Sequence, residues 1–197
     1  MTPATGYAVE PGASGWQAWA PADMAGWLRR ALPSSGGLIL VDGRSGSGKT
    51  TLARRLADTL GASIVHTDDL AWHHDPMEWS SLLLDGVLAP WRSGDAVSLR
   101  PPAWERLGRP GQVSVPAGRP QLVVEGVGAG RAAHAPSADL VIWVQTDRSL
   151  ARARGIARDI ELGRDAVAAE TFWDEWMSSE EPFLAADRPW ERADLVV

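Results

Sequence analysis

The chain contains 197 residues, of which 45% are hydrophobic, and this is enough for one compact domain with its own core. Its formal net charge is −6 with no basic block, which argues against a nucleic-acid-binding protein. It has no cysteine and therefore no disulfide or thiolate metal site, and no apolar run approaches the roughly 18 residues of a membrane span. We therefore expect a cytoplasmic protein without a nucleic-acid or membrane partner.

The predicted elements begin after a leader. Residues 1–20 are rich in Gly, Pro, Ala and Thr and are expected to be flexible. Pro21–Leu32 is predicted to be a short helix, and Leu38–Val41 is an apolar run typical of a buried parallel strand. A glycine-rich segment follows, and then apolar residues recur at helical spacing up to Leu60, where Gly61 marks the helix end.

The rest of the chain continues this alternation. Further core strands are predicted at Ser63–His66, Gln121–Glu125, Asp139–Gln145 and Asp194–Val197. Helices are predicted at Ser149–Leu162 and from Ala166 to about Ala186. An insertion at residues 70–120 is expected to hold a helix around Trp79–Leu88, two short strands (Ala96–Leu99 and Gln112–Val115), and turns at Pro101-Pro102 and residues 108–111. These elements predict an α/β fold in which residues 21–197 form one three-layer sandwich around a five-stranded parallel sheet.

The glycine-rich segment Gly43–Thr50 matches the phosphate-binding P-loop pattern, G-x-x-x-x-G-K-[ST]. Lys49 is the only lysine of the chain, and its compact ammonium suits the β and γ phosphates of a nucleotide. Thr50 offers a hydroxyl to Mg²⁺. The alternative, a glycine-rich turn that ends in Lys-Thr by chance, is disfavoured by the strand before the loop and the helix after it. The predicted nucleotide contacts are Gly43, Ser45, Gly46, Ser47, Gly48, Lys49, Thr50 and Thr51.

Carboxylates follow two of the predicted strands. Asp68 and Asp69 come just after Ser63–His66, and Glu125 ends the next long strand. The carboxyl ends of parallel strands face the ligand crevice, where such groups hold Mg²⁺ or accept the proton of an attacking hydroxyl. The structural alternatives are a helix N-cap for the aspartates and a turn residue for Glu125. We favour the active-site interpretation, with Thr50, Asp68 and Glu125 near the metal.

Arginines recur along the segment after Asp139–Gln145. Arg154, Arg158 and Arg164 lie within residues 152–166, and arginines at such spacing usually form a solvated helix face. Phosphoryl transfer instead uses mobile cations that close over the γ-phosphate and neutralise its developing charge. We predict that this segment is an arginine lid.

These motifs, in this order and spacing, resemble the uridine kinase, phosphoribulokinase and nicotinamide riboside kinase branch of the P-loop kinases. The resemblance covers residues 38–197 and implies an ATP-dependent kinase of a small-molecule hydroxyl, with Asp68 as the catalytic acid/base. Two departures are visible. Residues 100–106 replace the Tyr-Asp-Phe stretch and histidine of uridine kinases, and Gly155 replaces a second lid arginine.

The acceptor site is expected to use Asp69, Trp72, Arg100 and Trp104 as an aromatic slot with polar groups. Other aromatic residues have structural interpretations: Trp79 as lobe core, Trp173 and Trp176 as a helix-packing stripe. His66 is expected to pack at its strand end.

The sequence thus predicts a phosphotransferase that uses ATP and Mg²⁺ on a small-molecule acceptor, which the sequence does not name. One alternative is a nucleoside monophosphate kinase, with acceptor-lobe arginines at Arg92, Arg100, Arg106 and Arg109. Another is a non-catalytic ATP-binding regulatory module. A third, an NTPase coupled to nucleic acid, is disfavoured by the acidic charge.

Overall fold

The computed structural model describes residues 10–11, 21–75 and 77–197. The predicted leader lies outside the described residues except for Glu10 and Pro11. Among the described residues, no helix is long and apolar enough to cross a membrane.

Seven strands and eight α-helices form the described fold. The strands are β1 (Gly37–Gly43), β2 (Ser63–His66), β3 (Val97–Leu99), β4 (Val113–Val115), β5 (Gln121–Glu125), β6 (Leu140–Val144) and β7 (Leu195–Val196). The α-helices are α1 (Pro21–Ala31), α2 (Lys49–Leu60), α3 (Thr67–Ala71), α4 (Ser80–Leu83), α5 (Ala89–Arg92), α6 (Pro102–Arg106), α7 (Arg148–Glu161) and α8 (Ala166–Asp187). A π-helical stretch, Leu84–Leu88, joins α4 to α5, and short 3₁₀ turns lie at Ala135–Ser137 and Pro189–Arg192.

The main sheet has five parallel strands, as the sequence predicts, and the structure places them in the order β2-β5-β1-β6-β7. Strand β1 lies at its centre and is buried along its whole length, so it presents apolar side chains to both faces. Leu38 and Leu40 point to one core, while Ile39 and Val41 point to the other. This alternation explains the continuous apolar run and gives the three-layer sandwich.

Each face of the sheet is covered by a different part of the chain. Helices α1 and α2 bury Met24, Leu28 and Leu56 against one face. Against the other face packs the acceptor lobe, which we define as residues 70–120; Trp79 lies within this core and is 1% exposed. The structural interpretation of Trp79 is therefore confirmed.

The acceptor lobe contains an antiparallel pair, β3 and β4, as expected. The sequence-based prediction of a turn at Pro101-Pro102 is wrong in part, because Pro102 is the first residue of helix α6. Proline is favoured at this position, where its missing N–H removes no intrahelical hydrogen bond.

Helices α7 and α8 pack against each other and are joined by a short turn at residues 162–165. Gly155 of α7 lies against the ring of Trp173 in α8, so closely that a Cβ at Gly155 would overlap the ring. Gly155 thus makes room for the ring of Trp173, whose predicted role in helix packing is confirmed.

Candidate active site

The P-loop connects β1 to α2 at the carboxyl edge of the sheet. Gly46 and Gly48 have positive φ angles of 76° and 102°, a backbone conformation that favours glycine. Gly46 also lies against the backbone carbonyl of Ala151, where any side chain would collide. The sequence therefore needs glycine at these two positions for steric reasons, and the resulting loop presents backbone N–H groups at the N-terminus of α2.

Lys49 lies inside this loop and is only 7% exposed. Its Nζ donates a hydrogen bond of 2.8 Å to the backbone carbonyl oxygen of Arg44. The ammonium is thus held within the loop by the loop's own backbone. Ser47 Oγ is buried nearby without a hydrogen-bond partner among the described residues, which leaves a polar atom available to a ligand.

Glu125, at the end of β5, receives two contacts on one oxygen. Thr50 Oγ1 donates to Glu125 Oε1 at 3.0 Å, and His66 Nδ1 lies 2.6 Å from the same atom. Burial raises the pKa of Glu125, but the His66 hydrogen bond and the charge of Lys49 outweigh it, so the pKa is lowered overall. The same hydrogen bond raises the pKa of His66. Glu125 is therefore an ionised carboxylate beside the P-loop threonine.

Asp68 lies in the first turn of helix α3, two positions after the end of β2. The N-cap of α3 is His66, so Asp68 does not serve as the cap. Asp68 is an exposed residue, yet desolvation by the surrounding protein raises the pKa of its carboxyl; the charge of Lys49 opposes this shift and that of Glu125 adds to it. A carboxylate with a raised pKa is a better proton acceptor than an ordinary aspartate.

The three predicted lid arginines differ in their surroundings. Arg158 acts on Asp68 through its charge and also contacts Asp159 at 3.1 Å. Arg154 is exposed on the same helix. The guanidinium of Arg164 lies 3.9 Å from the ring centroid of Phe172 in α8. Of these arginines, Arg158 is the one whose charge acts to lower the pKa of Asp68.

The predicted acceptor residues come together around one arginine. Arg109 Nη2 donates to Asp69 Oδ1 at 2.7 Å. The central carbon of its guanidinium lies 3.6 Å from the ring centroid of Trp104 and 5.0 Å from that of Trp72. Trp104 Nε1 in turn donates to the backbone carbonyl of Asp69 at 2.9 Å. Arg100 Nη2 donates to the backbone carbonyl of Arg109 at 2.9 Å. Asp69 and Arg109 are each about 30% exposed, so this pair is accessible beside Asp68.

Three site residues were missed by sequence reasoning. The sequence predicts packing for His66, whereas the structure pairs it with Glu125 on the neighbouring strand. The sequence indicates Arg109 only as a phosphate ligand of the alternative nucleoside monophosphate kinase. The predicted site does not include Asp42, which lies within β1. Its carboxylate accepts hydrogen bonds from the backbone N–H groups of Gly43 and of the loop after β5. Burial raises the pKa of Asp42 to about 6. An acid inside an apolar strand was the available signal for Asp42.

The ligand set suits Mg²⁺ bound together with nucleotide phosphates. Among the described residues, no group of three or more His, Asp or Glu side chains could hold a metal by itself. Mg²⁺ commonly uses one or two carboxylates, water and substrate phosphates. Thr50 and Glu125, joined by a hydrogen bond beside the P-loop, match that requirement.

Comparisons with known proteins identify the fold. No family model and no curated protein matches the chain. Among solved structures, a putative fructose transport system kinase from Silicibacter sp. TM1040 is similar, with a TM-score of 0.61 and 19% identity over 91% of this chain and 100% of that chain. A possible uridine kinase from Bacillus stearothermophilus has a TM-score of 0.56 and 23% identity, over 89% of this chain and 97% of that chain. The predicted P-loop kinase fold is confirmed by these similarities.

Proposed function

We propose that the chain is an ATP- and Mg²⁺-dependent kinase that transfers the γ-phosphate of ATP to a hydroxyl of a small molecule. The observation that carries this proposal is the position of three charged residues after or at the carboxyl ends of adjacent strands. Lys49 follows β1, Asp68 follows β2 and Glu125 ends β5. The charge of Lys49 acts to lower the pKa of both carboxylates, which supports their use in one site.

Each group has a defined task in this proposal. The P-loop N–H groups and Lys49 bind the nucleotide phosphates, and Thr50 and Glu125, with Asp68 nearby, hold the metal. When bound, Mg²⁺ neutralises charge on the β and γ phosphates. Asp68 accepts the proton of the acceptor hydroxyl while the oxygen attacks the γ-phosphorus and the bond to the β–γ bridging oxygen breaks, which releases ADP.

The lid and the lobe complete the site. Arg158, whose charge already acts on Asp68, stabilises negative charge on the transferred group, and Arg154 and Arg164 of the same segment are proposed to close with it. Closure of this segment would exclude water, which otherwise competes with the acceptor. In the acceptor lobe, Asp69 and Arg109 offer a hydrogen-bond acceptor and a donor side by side.

The decisive experiment is ADP release from Mg-ATP across nucleosides, nucleoside monophosphates, nicotinamide riboside, pantothenate and simple sugars, with Asp68→Asn as the inactive control. We expect one chemical class to stimulate release by the wild-type chain alone. Stimulation by nucleoside monophosphates would instead favour that class of kinase. Tight ATP binding without acceptor-dependent release would favour the regulatory module, and release stimulated by nucleic acid would favour the coupled NTPase.

A further inference from the structure

Glu180 of helix α8 is an acidic residue that is fully buried, with 0% of its surface exposed. Its carboxylate accepts the backbone N–H of Ser45 in the P-loop, at 3.2 and 3.3 Å from the two oxygens. It also accepts the indole N–H of Trp176 at 2.5 Å, and Arg44 Nη1 lies 4.0 Å away. Two of its three partners therefore belong to the P-loop.

A buried carboxylate is costly unless donors surround it, and an apolar side chain would pack at lower cost. The partners of Glu180 explain why an acid is useful there. The N–H of Ser45 is a donor in a loop that has glycines at positions 43, 46 and 48, and such a loop has few side chains to fix its conformation. Glu180 supplies a hydrogen-bond acceptor whose position is fixed by a helix of 22 residues.

Glu181, the next residue of α8, also forms a hydrogen bond with the P-loop. Glu181 Oε1 accepts from Arg44 Nη1 at 2.7 Å, and the carboxylate of Glu10 accepts from Nε and Nη2 of the same guanidinium at 2.7 and 2.8 Å. Burial lowers the pKa of Arg44, but these hydrogen bonds outweigh it and raise the pKa overall. Arg44 and Ser45, the first two variable residues of the P-loop, thus both form hydrogen bonds with α8.

The same helix also contacts the proposed lid. Trp173 lies seven residues before Glu180, which is two helical turns, and packs against Gly155 of α7. Residues at this spacing share one face of a helix. Helix α8 therefore contacts the lid helix and the P-loop with one face, two turns apart.

We propose that Glu180 is a positioning residue: it fixes the backbone of Ser45 so that the nucleotide phosphates meet a preformed P-loop. This inference rests on the proposed function, because it assumes that the loop binds a nucleotide. A preformed loop loses less conformational entropy when it binds a nucleotide. Removal of Glu180 should therefore lower the affinity for nucleotide. A purely structural Glu180 would change the stability of the nucleotide-free protein and leave affinity unchanged.

The test measures MgADP affinity by isothermal titration calorimetry, and the melting temperature without nucleotide, for Glu180→Ala, Glu180→Gln and Glu175→Ala. Glu175 is an exposed glutamate of the same helix and serves as the matched control. We expect Glu180→Ala to weaken MgADP binding about tenfold or more, since a hydrogen bond to a charged group is lost. Glu180→Gln should lose less than about threefold, because its amide oxygen still accepts the Ser45 N–H.

A folded Glu180→Ala variant with wild-type MgADP affinity would overturn the inference and leave the proposed function intact. Failure of the wild-type chain to bind MgADP would instead overturn the proposed function itself. If Glu180→Ala does not fold, the inference is tested instead by hydrogen exchange of the nucleotide-free wild-type chain. We expect the Ser45 amide to be protected, and exchange at the rate of an unstructured amide would contradict the role of Glu180.

Discussion

His66 and Glu125 are directly paired residues of two neighbouring parallel strands, and their side chains form a hydrogen bond of 2.6 Å at the carboxyl edge of the sheet. This bond raises the pKa of His66 and helps to lower the pKa of Glu125 against the effect of burial. Strand register thus brings together a pair whose hydrogen bond favours the ionised form of Glu125, the carboxylate that we propose for the metal. The pair makes the stability of the protein depend on pH.

We expect His66→Gln to lose a stabilising contribution that is largest when His66 is protonated. Because the folded-state pKa of His66 lies above its ordinary value of 6.5, the contribution is complete below that pH and is lost as pH rises through the folded-state pKa. The difference in unfolding free energy between wild type and His66→Gln should therefore shrink as the pH rises from below 6.5 through the raised folded-state pKa of His66. Urea denaturation of the nucleotide-free protein measures it.

The control for this series is His74→Gln, which changes a histidine of the acceptor lobe. This variant keeps the His66–Glu125 hydrogen bond, so its difference from wild type is the reference for the series. A difference between wild type and His66→Gln that stays constant across the range would show that the hydrogen bond with Glu125 is not charge-assisted.

Lys49→Ala should weaken MgADP binding by about tenfold to a hundredfold, as expected for the loss of a charged hydrogen bond to phosphate. Turnover should fall as well, because the same ammonium stabilises the transferred phosphate. Calorimetric titration and steady-state ADP release measure the two effects. Arg152→Ala removes an exposed cation of α7 and is the control for the loss of positive charge. Equal affinity in Lys49→Ala and wild type would contradict the phosphate-binding role of the loop.

Asp68→Asn should lower turnover at least about a hundredfold, within the usual range for the loss of a general base. Nucleotide affinity should stay within a few-fold of wild type. The matched variant is Asp69→Asn, which disrupts the ion pair with Arg109 instead. We expect Asp69→Asn to raise the KM for the acceptor more than it lowers kcat. The reverse pattern would assign the acid/base role to Asp69.

Gly155→Ala should destabilise the protein by about 1–3 kcal/mol, because the new Cβ overlaps the ring of Trp173 and the helix pair must separate. The higher helix propensity of alanine offsets at most about 1 kcal/mol of this. Thermal and urea unfolding measure the change. The same substitution in a Trp173→Leu background should cost less, since the ring is gone. Additive effects of the two substitutions would show that these residues do not contact each other.

Most of the fold was predictable because it depends on local patterns. The predicted strands Ser63–His66 and Gln121–Glu125 agree with the observed β2 and β5 at both ends. Apolar runs of this kind are buried on both faces of a parallel sheet, and glycines mark the ends of neighbouring helices. The P-loop was predictable because its pattern fixes a backbone conformation as well as a set of side chains.

Parts of the site could not be predicted, since they depend on contacts between distant segments. Arg109 lies 40 residues after its partner Asp69, and Glu180 lies 135 residues after Ser45. No periodicity connects such pairs. The roles of the predicted metal and lid residues stay predictions, as do the flexible leader and the cytoplasmic location. The position of Asp68 beside Lys49 and Glu125 gives these roles a structural basis.

Lys49 carries the only side-chain amine of the chain. An amine-selective acylating reagent therefore has one side-chain target, enclosed in the loop where the nucleotide is expected to bind. The rate of this single modification, followed by mass spectrometry, becomes a direct reporter of occupancy. Any compound that enters the loop should slow the labelling in proportion to the fraction of protein it occupies, whether or not the compound is turned over.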